Sequence, residues 1–512
     1  MMNKVLRFGM SVCLAALPAV GMAAAPVVTA NVSADSVYYS YVDKLSGMGY
    51  ITSLPNGARP YSRMEMAKWV QEAEKTAKKK PMPGYLQDVL QAMETEFAPE
   101  LATLQGHRTY DGVRLYSVTA ALAYQGGDAS SYRYPSGVHG SWQPFGTNRN
   151  GYQYGADGNA IASFEASGMI GHETAVYIRP RVSYDKNNHL SMSLEEGYIK
   201  TRSGIWAFEA GRQAMRWGQG ATGTLALSNT MSPLTTLQAH FMEPQQVGGF
   251  FRFLGQADVH LFYGKLESDR SDRAAAYGRT EYDDAGLLGM RVDITPTSYV
   301  TVGLERISML GGNGNGLNAS DWGHWIYGRN DDNRKDRWDD IAGVDFRLRF
   351  PGVQLYGELY GEDQAGYLPS DIAYRAGVYL PQLTKDGSWD MTAEIVNTNN
   401  SWYIHSKFQN GWTYRGDIIG DAMGTNARKY YVGLTRHFRR EGTIGVYVMR
   451  TDMDRGTAQH PTVDEIGITG QRKLRANVYL NGTIGAARVE HANYTSSTDH
   501  DTFAMASVKW LY

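Results

Sequence analysis

The sequence predicts an all-β transmembrane barrel of about 18 antiparallel strands, preceded by a small α-helical region and with both termini in the periplasm. Three observations carry this. An export signal opens the chain, yet no later segment approaches the roughly 20 apolar residues of a membrane-spanning helix. From about Thr109 onward apolar and polar residues alternate with a period of two, the mark of strands whose faces meet different surroundings. Short turns and long loops alternate between those strands, as they do in outer-membrane barrels. An exported chain without a spanning helix is either soluble or a closed barrel, because only closure pairs every strand-edge polar group in lipid.

Residues 1–25 have the anatomy of a signal peptide: Lys4 and Arg7, an apolar run from Phe8 to Val20, and the small residues Ala23, Ala24 and Ala25. Cys13, the single cysteine of the chain, continues the apolar run without a lipobox before it. Cleavage therefore leaves a chain with neither disulfides nor thiol chemistry. A net charge of −2 gives no electrostatic basis for nucleic acid as a partner. The 57 glycines and 34 tyrosines favour turns, strands and aromatic girdles over helical packing.

Residues 26–107 read as a periplasmic helical region. Tyr38, Val42, Leu45 and Met48 recur at helical spacing and stop at Gly49. Ser62 opens a second helix through Met64, Met66, Ala67 and Val70, and Leu86, Val89, Leu90, Met93 and Phe97 form a third. Gly47-Met48-Gly49-Tyr50-Ile51, followed by Pro60-Tyr61-Ser62-Arg63-Met64-Glu65, also resembles a surface-layer-homology module, which would grip cell-wall polymer.

The barrel is expected over residues 108–512. In its first strand Tyr116, Val118, Ala120, Leu122 and Tyr124 share one face, an apolar band with a tyrosine at each rim. Residues 174–184 repeat the scheme, with Val176, Ile178, Pro180, Val182 and Tyr184 facing lipid and Arg179 and Arg181 facing inward. Leu288, Met290, Val292 and Ile294 likewise alternate with Arg291 and Asp293. Arginines on alternate strand positions are costly in a dry core and natural on a barrel bore. Short turns are expected at residues 480–482, 439–442, 381–388, 350–353 and 295–298. Long loops are expected at 494–500, 453–461, 397–427, 362–371 and 311–340, and a strand near Phe250 is needed to complete the tally. At the C-terminus Val508, Trp510 and Tyr512 share a face, which resembles the aromatic signal read by the barrel-insertion machinery.

A strand at residues 206–212 runs into Gly211-Arg212-Gln213-Ala214-Met215-Arg216-Trp217-Gly218-Gln219-Gly220, then Leu225-Ala226-Leu227-Ser228-Asn229 and Ser232-Pro233. Too polar for lipid and too aromatic for a linker, residues 211–236 are expected to fold into the bore, with Arg212, Arg216 and Trp217 as anchors and Glu195 and Glu209 as counter-charges. The motif resembles the centre of the Wzi-type capsule-assembly outer-membrane proteins. Tyr360-Gly361-Glu362-Asp363, Gly377-Val378-Tyr379, and Trp412-Thr413-Tyr414-Arg415-Gly416-Asp417-Ile418-Ile419-Gly420 agree with it in order and character. The resemblance implies a wide barrel closed by loops and interior segments. It also implies a surface lectin that helps assemble or attach capsular or related exported polysaccharide by weak, repeated, noncovalent capture. No sugar-contacting residue carries over, because such residues would lie in loops that match no motif.

Enzymatic signatures are poor. His172-Glu173 lacks the second histidine of a zinc helix, there is no Gly-x-Ser-x-Gly elbow, and residues 311–316 lack the helix and lysine of a phosphate cradle. Asn330, Asp331, Asp332, Asn333 and Asp336 lack the glycine and distal glutamate of a calcium hand. Neither catalysis, nor a metal, nor a cofactor is expected. Polysaccharide-binding candidates come from one long loop, with Trp322, Trp325, Tyr327, Arg329, Arg334, Arg337 and Trp338, and from Trp142, with Tyr132 and Tyr134, in another. Aromatic faces stack on pyranose rings, and guanidinium groups read hydroxyls or uronates. A rival function is a porin-like channel with an arginine-lined bore, tethered to the cell wall by the helices; what separates the two is whether residues 211–233 fill the lumen.

Overall fold

A computed structural model describes residues 27–512 except 53, 55, 56, 108–111, 128–130, 136, 187, 327–336, 366 and 367. The signal segment, and Tyr327, Arg329 and Arg334 of the candidate loop, lie outside the described residues. Eighteen antiparallel strands close on themselves. They are β1 (Gly112–Gly126), β2 (Asp157–Ile170), β3 (Thr174–Asp185), β4 (His189–Ser203), β5 (Trp206–Gln213), β6 (Leu234–Phe241), β7 (Gln256–Lys265), β8 (Gly286–Thr297) and β9 (Val300–Leu310). The circuit continues through β10 (Trp338–Phe350), β11 (Val353–Ala365), β12 (Leu368–Leu380), β13 (Trp389–Asn397), β14 (Arg428–Phe438), β15 (Gly442–Asp452), β16 (Thr462–Arg475), β17 (Val478–Glu490) and β18 (Thr498–Leu511). Closure is made by β18 against β1, with Val118 opposite Trp510 and Gln125 opposite Phe503.

The period of two sorts side chains to the two sides of the wall. Outward lie Leu122, Ile178, Val182, Leu359, Val446, Ile468 and Ile484, all exposed in the isolated chain. Inward lie Arg291, Asp345, Glu358, Arg375 and Glu394, all buried. An outer belt of this kind is what lipid requires, since lipid supplies no partner for a charge. Among the described residues no helix is long and apolar enough to cross a membrane.

Several boundaries differ from the sequence expectation. Residues 249–254 form a 3-10 helix, and the strand expected there is β7, six residues later, because Gly249 and Gly255 both take positive φ and end any extended run. The last tight turn falls at residues 476 and 477, not 480–482, which lie inside β17. Of the long loop expected over 362–371, residues 362–365 and 368–371 are strand, since the Glu362–Asp371 and Gln364–Pro369 ladder continues past the apolar band. Only three residues separate β3 from β4 at the same rim.

Four helices, α1 (Tyr38–Gly47), α2 (Arg63–Ala77), α3 (Gly84–Glu96) and α4 (Ala98–Leu104), pack around their own core at the short-turn rim. The α2 start is a capping box in which Ser62 and Glu65 satisfy each other's backbone N–H. The helices are fastened to the barrel. Lys44 Nζ donates to Pro381 O at 2.7 Å and Gly387 O at 2.8 Å and pairs with Asp390 at 3.0 Å. Residues 27–36 enter the bore, where Ser33 donates to Glu196 at 2.6 Å and Asp35 pairs with Arg179 at 2.8 Å.

Ile468 sits mid-strand on the outer face between Val446 and Ile484. Ile468→Arg is expected to cost about 2–4 kcal/mol of barrel stability in lipid, whereas Ile468→Leu costs little; denaturant unfolding in bilayers with heat-modifiable migration measures both.

Candidate functional site: a plugged lumen beneath a five-loop groove

Residues 214–233, between β5 and β6, leave the wall and cross the bore. Their path is fixed by carboxylates on the facing wall. Glu358 accepts the backbone N–H of Gln219 and Gly220 at 2.9 Å each and of Leu225 at 2.9 Å. Glu394 accepts from Ala221 and Thr222, and Asp345 accepts the Gln219 side-chain amide at 2.8 Å. Arg347 donates to the Gln219 carbonyl and side chain at 3.0 Å each. A segment without regular structure has its N–H groups unpaired, and buried carboxylates need donors, so each satisfies the other.

A second insert comes from residues 398–427, between β13 and β14. Its Asp421 pairs with Arg375 at 2.5 Å and with Lys429 at 2.7 Å. Trp412 Nε1 donates to Ala226 O at 3.2 Å, Tyr403 Oη to Leu225 O at 2.6 Å and Ser228 N to Ile419 O at 2.7 Å. The two inserts thus meet on the barrel axis. Trp402, Tyr403, Phe408, Trp412, Ile418 and Ile419 are fully buried there with Leu225 and Leu227, so the largest apolar core of the molecule lies inside the bore. From the other end Gly57 and the two-residue strand Ala58–Arg59 reach up to pair with Arg216–Trp217. A bore of 16–18 strands is water-filled unless something occupies it, and here protein does.

Arg216 is buried, and burial, helped by the Arg59 guanidinium, pushes its pKa down to about 10. Trp217 packs edge-on against Phe262 at 5.1 Å. Arg212 is half-buried on β5. The expected counter-charges go elsewhere. Glu195 pairs with Arg179 and Arg181, and Glu209 with Lys200 and the His240 ring, because those side chains share the inner faces of β3, β4 and β6 with them.

The loop tryptophans are mostly packed. Trp325 is 6% exposed, donates to Ser308 Oγ at 2.8 Å and lies under the Arg306 guanidinium. Trp338, on β10, is 4% exposed beside it, and Trp142 is 7% exposed and stacked on Tyr132 at 4.8 Å. Those three indoles offer no open face to a pyranose. Trp322 keeps one, at 37% exposure, and Arg337 is tied to Asp321 at 2.6 Å.

An open groove lies instead above the plug, a cleft of 960 Å³ between five loops. Residues 127–156 bring Arg133, Tyr134 and His139, residues 266–285 bring Arg273, Tyr277 and Arg279, and residues 398–427 bring Gly416. The β15–β16 loop adds Asp454, Thr457 and Gln459, and the β17–β18 loop adds Tyr494. His139 and Tyr277 have ring centroids 4.8 Å apart. Burial and the fields of Arg273, Arg279 and Arg270 hold the His139 pKa below its ordinary value, so near neutral pH the positive charge is arginine's alone. The floor is rigid. Arg270, 1% exposed, pairs with Glu267 and Glu281 at 3.2 Å each and donates to Thr413 O at 2.6 Å, while His139 N donates to Asn410 O at 2.8 Å. Of the groove residues only Tyr134 stood out in the sequence. The available signal was Arg270-Ser271-Asp272-Arg273 followed by Tyr277-Gly278-Arg279, basic and aromatic in a loop.

Fold and site together define a plugged 18-strand barrel whose open surface is a loop-built cleft at one rim. The model of the capsule assembly protein Wzi family matches residues 129–504, and the chain belongs to that family. An uncharacterized 55.8 kDa protein in the cps region of Klebsiella pneumoniae is 25% identical over 197 residues, 37% of this chain and 35% of that one, so the match spans about a third of that relative. Wzi of Escherichia coli, described as an outer membrane protein involved in group 1 capsule assembly and a carbohydrate binding β-barrel, superposes with a TM-score of 0.70 at 17% identity, covering 94% of this chain and 100% of that one. OccK5 of Pseudomonas aeruginosa superposes with a TM-score of 0.45 at 9% identity, over 78% of this chain and 98% of that one.

Glu358→Ala removes three backbone anchors and one partner of Arg375, and is expected to cost about 3–5 kcal/mol. In a planar bilayer the variant should show stepwise conductance where the unaltered protein is silent. A pH effect is expected at Asp417, in the second insert, whose pKa burial pushes up to about 7 against the Gln153 hydrogen bond. A folded-state value above the unfolded one means that stability is fully present at about pH 4 and declines as pH rises through about 7. Asp417→Asn should therefore raise the thermal midpoint at pH 8 and leave it nearly unchanged at pH 4.

Proposed function

We propose that this protein is a non-catalytic lectin of the outer membrane that holds capsular or related exported polysaccharide at the cell surface. The observation that carries the reading is the five-loop groove over a filled bore. The two inserts occupy the bore, and the groove presents guanidinium groups beside phenol rings, which suit the hydroxyls, carboxylates and apolar faces of a sugar polymer. Arg133, Arg279, Tyr277 and Tyr494 are the contacts, with Trp322 as an outlying one on the neighbouring loop.

Short turns face the periplasm in barrels of this kind and long loops the exterior. Both termini and the helical region are accordingly periplasmic, after export and removal of residues 1–25. Trp510 and Tyr512, exposed on the outer face of β18, are the feature for the barrel-insertion machinery to read, and the belt around Ile468 meets outer-membrane lipid. Membership of the Wzi family and the fold shared with a barrel described as carbohydrate-binding support this reading.

Retention of the cell's own surface polysaccharide by the immobilised protein tests it. Arg133→Gln and Arg279→Gln are each expected to weaken retention by about tenfold or more, since hydrogen bonds to a charged group are worth roughly 1.5–3 kcal/mol. Tyr277→Ala should act in the same direction, with heat-modifiable migration unchanged in all three. Equal retention by wild type and variants would remove the groove from the function.

A further inference from the structure

The turns that join β14 to β15 and β16 to β17 carry an unusual charge pattern. Inside the barrel Arg291 meets Asp293, Glu305 and Asp345, while Arg347 and Arg349 are held by the oxygens of Gln219, Thr301 and Leu54. On these two turns Arg439 is held by Asp88, and Lys473 by Glu441 at 2.6 Å. Arg436, Arg440, Arg472 and Arg475 are exposed, and among the described residues none of them forms an ion pair. Arg440 takes positive φ in the tight turn, and a register shift between Lys473 and Arg475 breaks the β16 ladder, so both turns present their guanidinium groups away from it. Arg440 and Arg475 line one cleft of 310 Å³ between the turns and α3.

Arg436 and Arg472 occupy the outer face, continuing the rows Val432–Leu434 and Ile466–Ile468 toward the short-turn rim. Arg436 stands opposite Trp389 and Ile444, and Arg472 opposite Leu480, the two arginines and their three partners all exposed on the outer face. Trp389 and Trp510 are exposed near the short-turn ends of β13 and β18, and tryptophan marks the boundary between acyl chains and headgroups. Both arginines stand near the short-turn ends of these rows, with Phe438 and Leu474 two residues further on, where a long guanidinium side chain can extend to the headgroup level. At the opposite rim the outward Arg450 is already met by Asp452 and Asp464.

We propose that this sector of the short-turn rim binds an anionic phospholipid of the adjoining leaflet, its phosphate taken by Arg440 and Arg475 in the cleft and its acyl chains laid on the Leu434, Ile444 and Leu480 surface. Arg436 and Arg472 close the sides of the site and draw the headgroup down from the belt. Charge complementarity and continuity with the lipid-facing belt select this occupant over a protein partner or a free anion. The inference uses the membrane-spanning reading of the barrel and is independent of glycan binding.

Native mass spectrometry of the full protein, from mixed micelles containing equal phosphatidylglycerol and phosphatidylcholine, tests it. Phosphatidylglycerol should be retained in excess, each guanidinium lost in Arg440→Gln or Arg475→Gln should reduce that excess about fivefold, and Arg450→Gln should leave it unchanged. Heat-modifiable migration checks that each variant is folded, and Arg440→Lys with Arg475→Lys, which keeps charge, should keep most of the excess if the doubly neutral variant fails to fold. Equal retention of the two lipids overturns the proposal, as does loss of neither after substitution, displacement by millimolar inorganic phosphate, or preference for lipid A over phosphatidylglycerol. Retention of neither lipid overturns the membrane-spanning reading along with it.

Discussion

The structure depends on carboxylates that point into the bore and accept backbone N–H groups from a segment with no regular structure. Glu358 alone holds three such groups, and it shares Arg375 with Glu394 and Asp421. An isolated charge at this depth would be costly, and a bare loop buried beside it would leave its own donors orphaned. Each removes the other's penalty, which allows an 18-strand wall to be solid inside without being apolar inside. Replacing wall carboxylates by leucine would fill space but could not hold the crossing chain in one conformation, since apolar contacts are not directional.

Much of this was legible in the sequence, for a physical reason. Lipid imposes its demand at every second residue of every strand, so the outward rows of β3 and β8, and that of β1 from Val118 to Tyr124, could be read locally, as could Arg179, Arg181, Arg291 and Asp293 on the opposite face. Tyr116, expected at the lower rim of β1, instead lies under the Arg63 guanidinium because a bulge between Leu115 and Ser117 turns it away from that row. The position of the plug was legible too, because the 211–220 segment fits neither lipid nor a free linker. Its wiring was not. Glu195 and Glu209 are near Arg212 along the chain and across β4 and β5, but the inner face is shared by neighbours from several strands, and Arg179, Lys200 and His240 reach those carboxylates first. The carboxylates that do hold the plug, Glu358 and Glu394, come from strands more than 130 residues away.

The loops resisted for the opposite reason. Tryptophan in an extracellular loop has two uses, to bind or to pack, and composition does not distinguish them. Trp325 packs because Ser308 and Arg306 on the adjacent strand offer its N–H an acceptor and its ring a cation, neither visible without the β9–β10 register. The groove residues lie on five loops with no common sequence pattern, and only the closed wall brings them to one side. Boundaries failed where local geometry overrode alternation, as at Gly249 and Gly255, or where a ladder outran the apolar band, as in β11 and β12.

The plug also fixes the surface above it. From Glu358 and Arg375 the contacts run through Asp421 and Lys429 to the second insert, then through the Thr413 and Gly411 carbonyls to the buried guanidinium of Arg270, whose helical turn carries Arg273 toward Tyr277 and Arg279. Loops that project freely from a barrel would lose rotameric and backbone freedom on gripping a polymer, a cost of about 0.5–1.5 kcal/mol for each mobile side chain. Here the loops are tied down from beneath, so a ligand seated in the groove would not have to order the site. Occupying the bore and shaping the groove are therefore one structural act, because the same contacts hold the inserts and the loops above them.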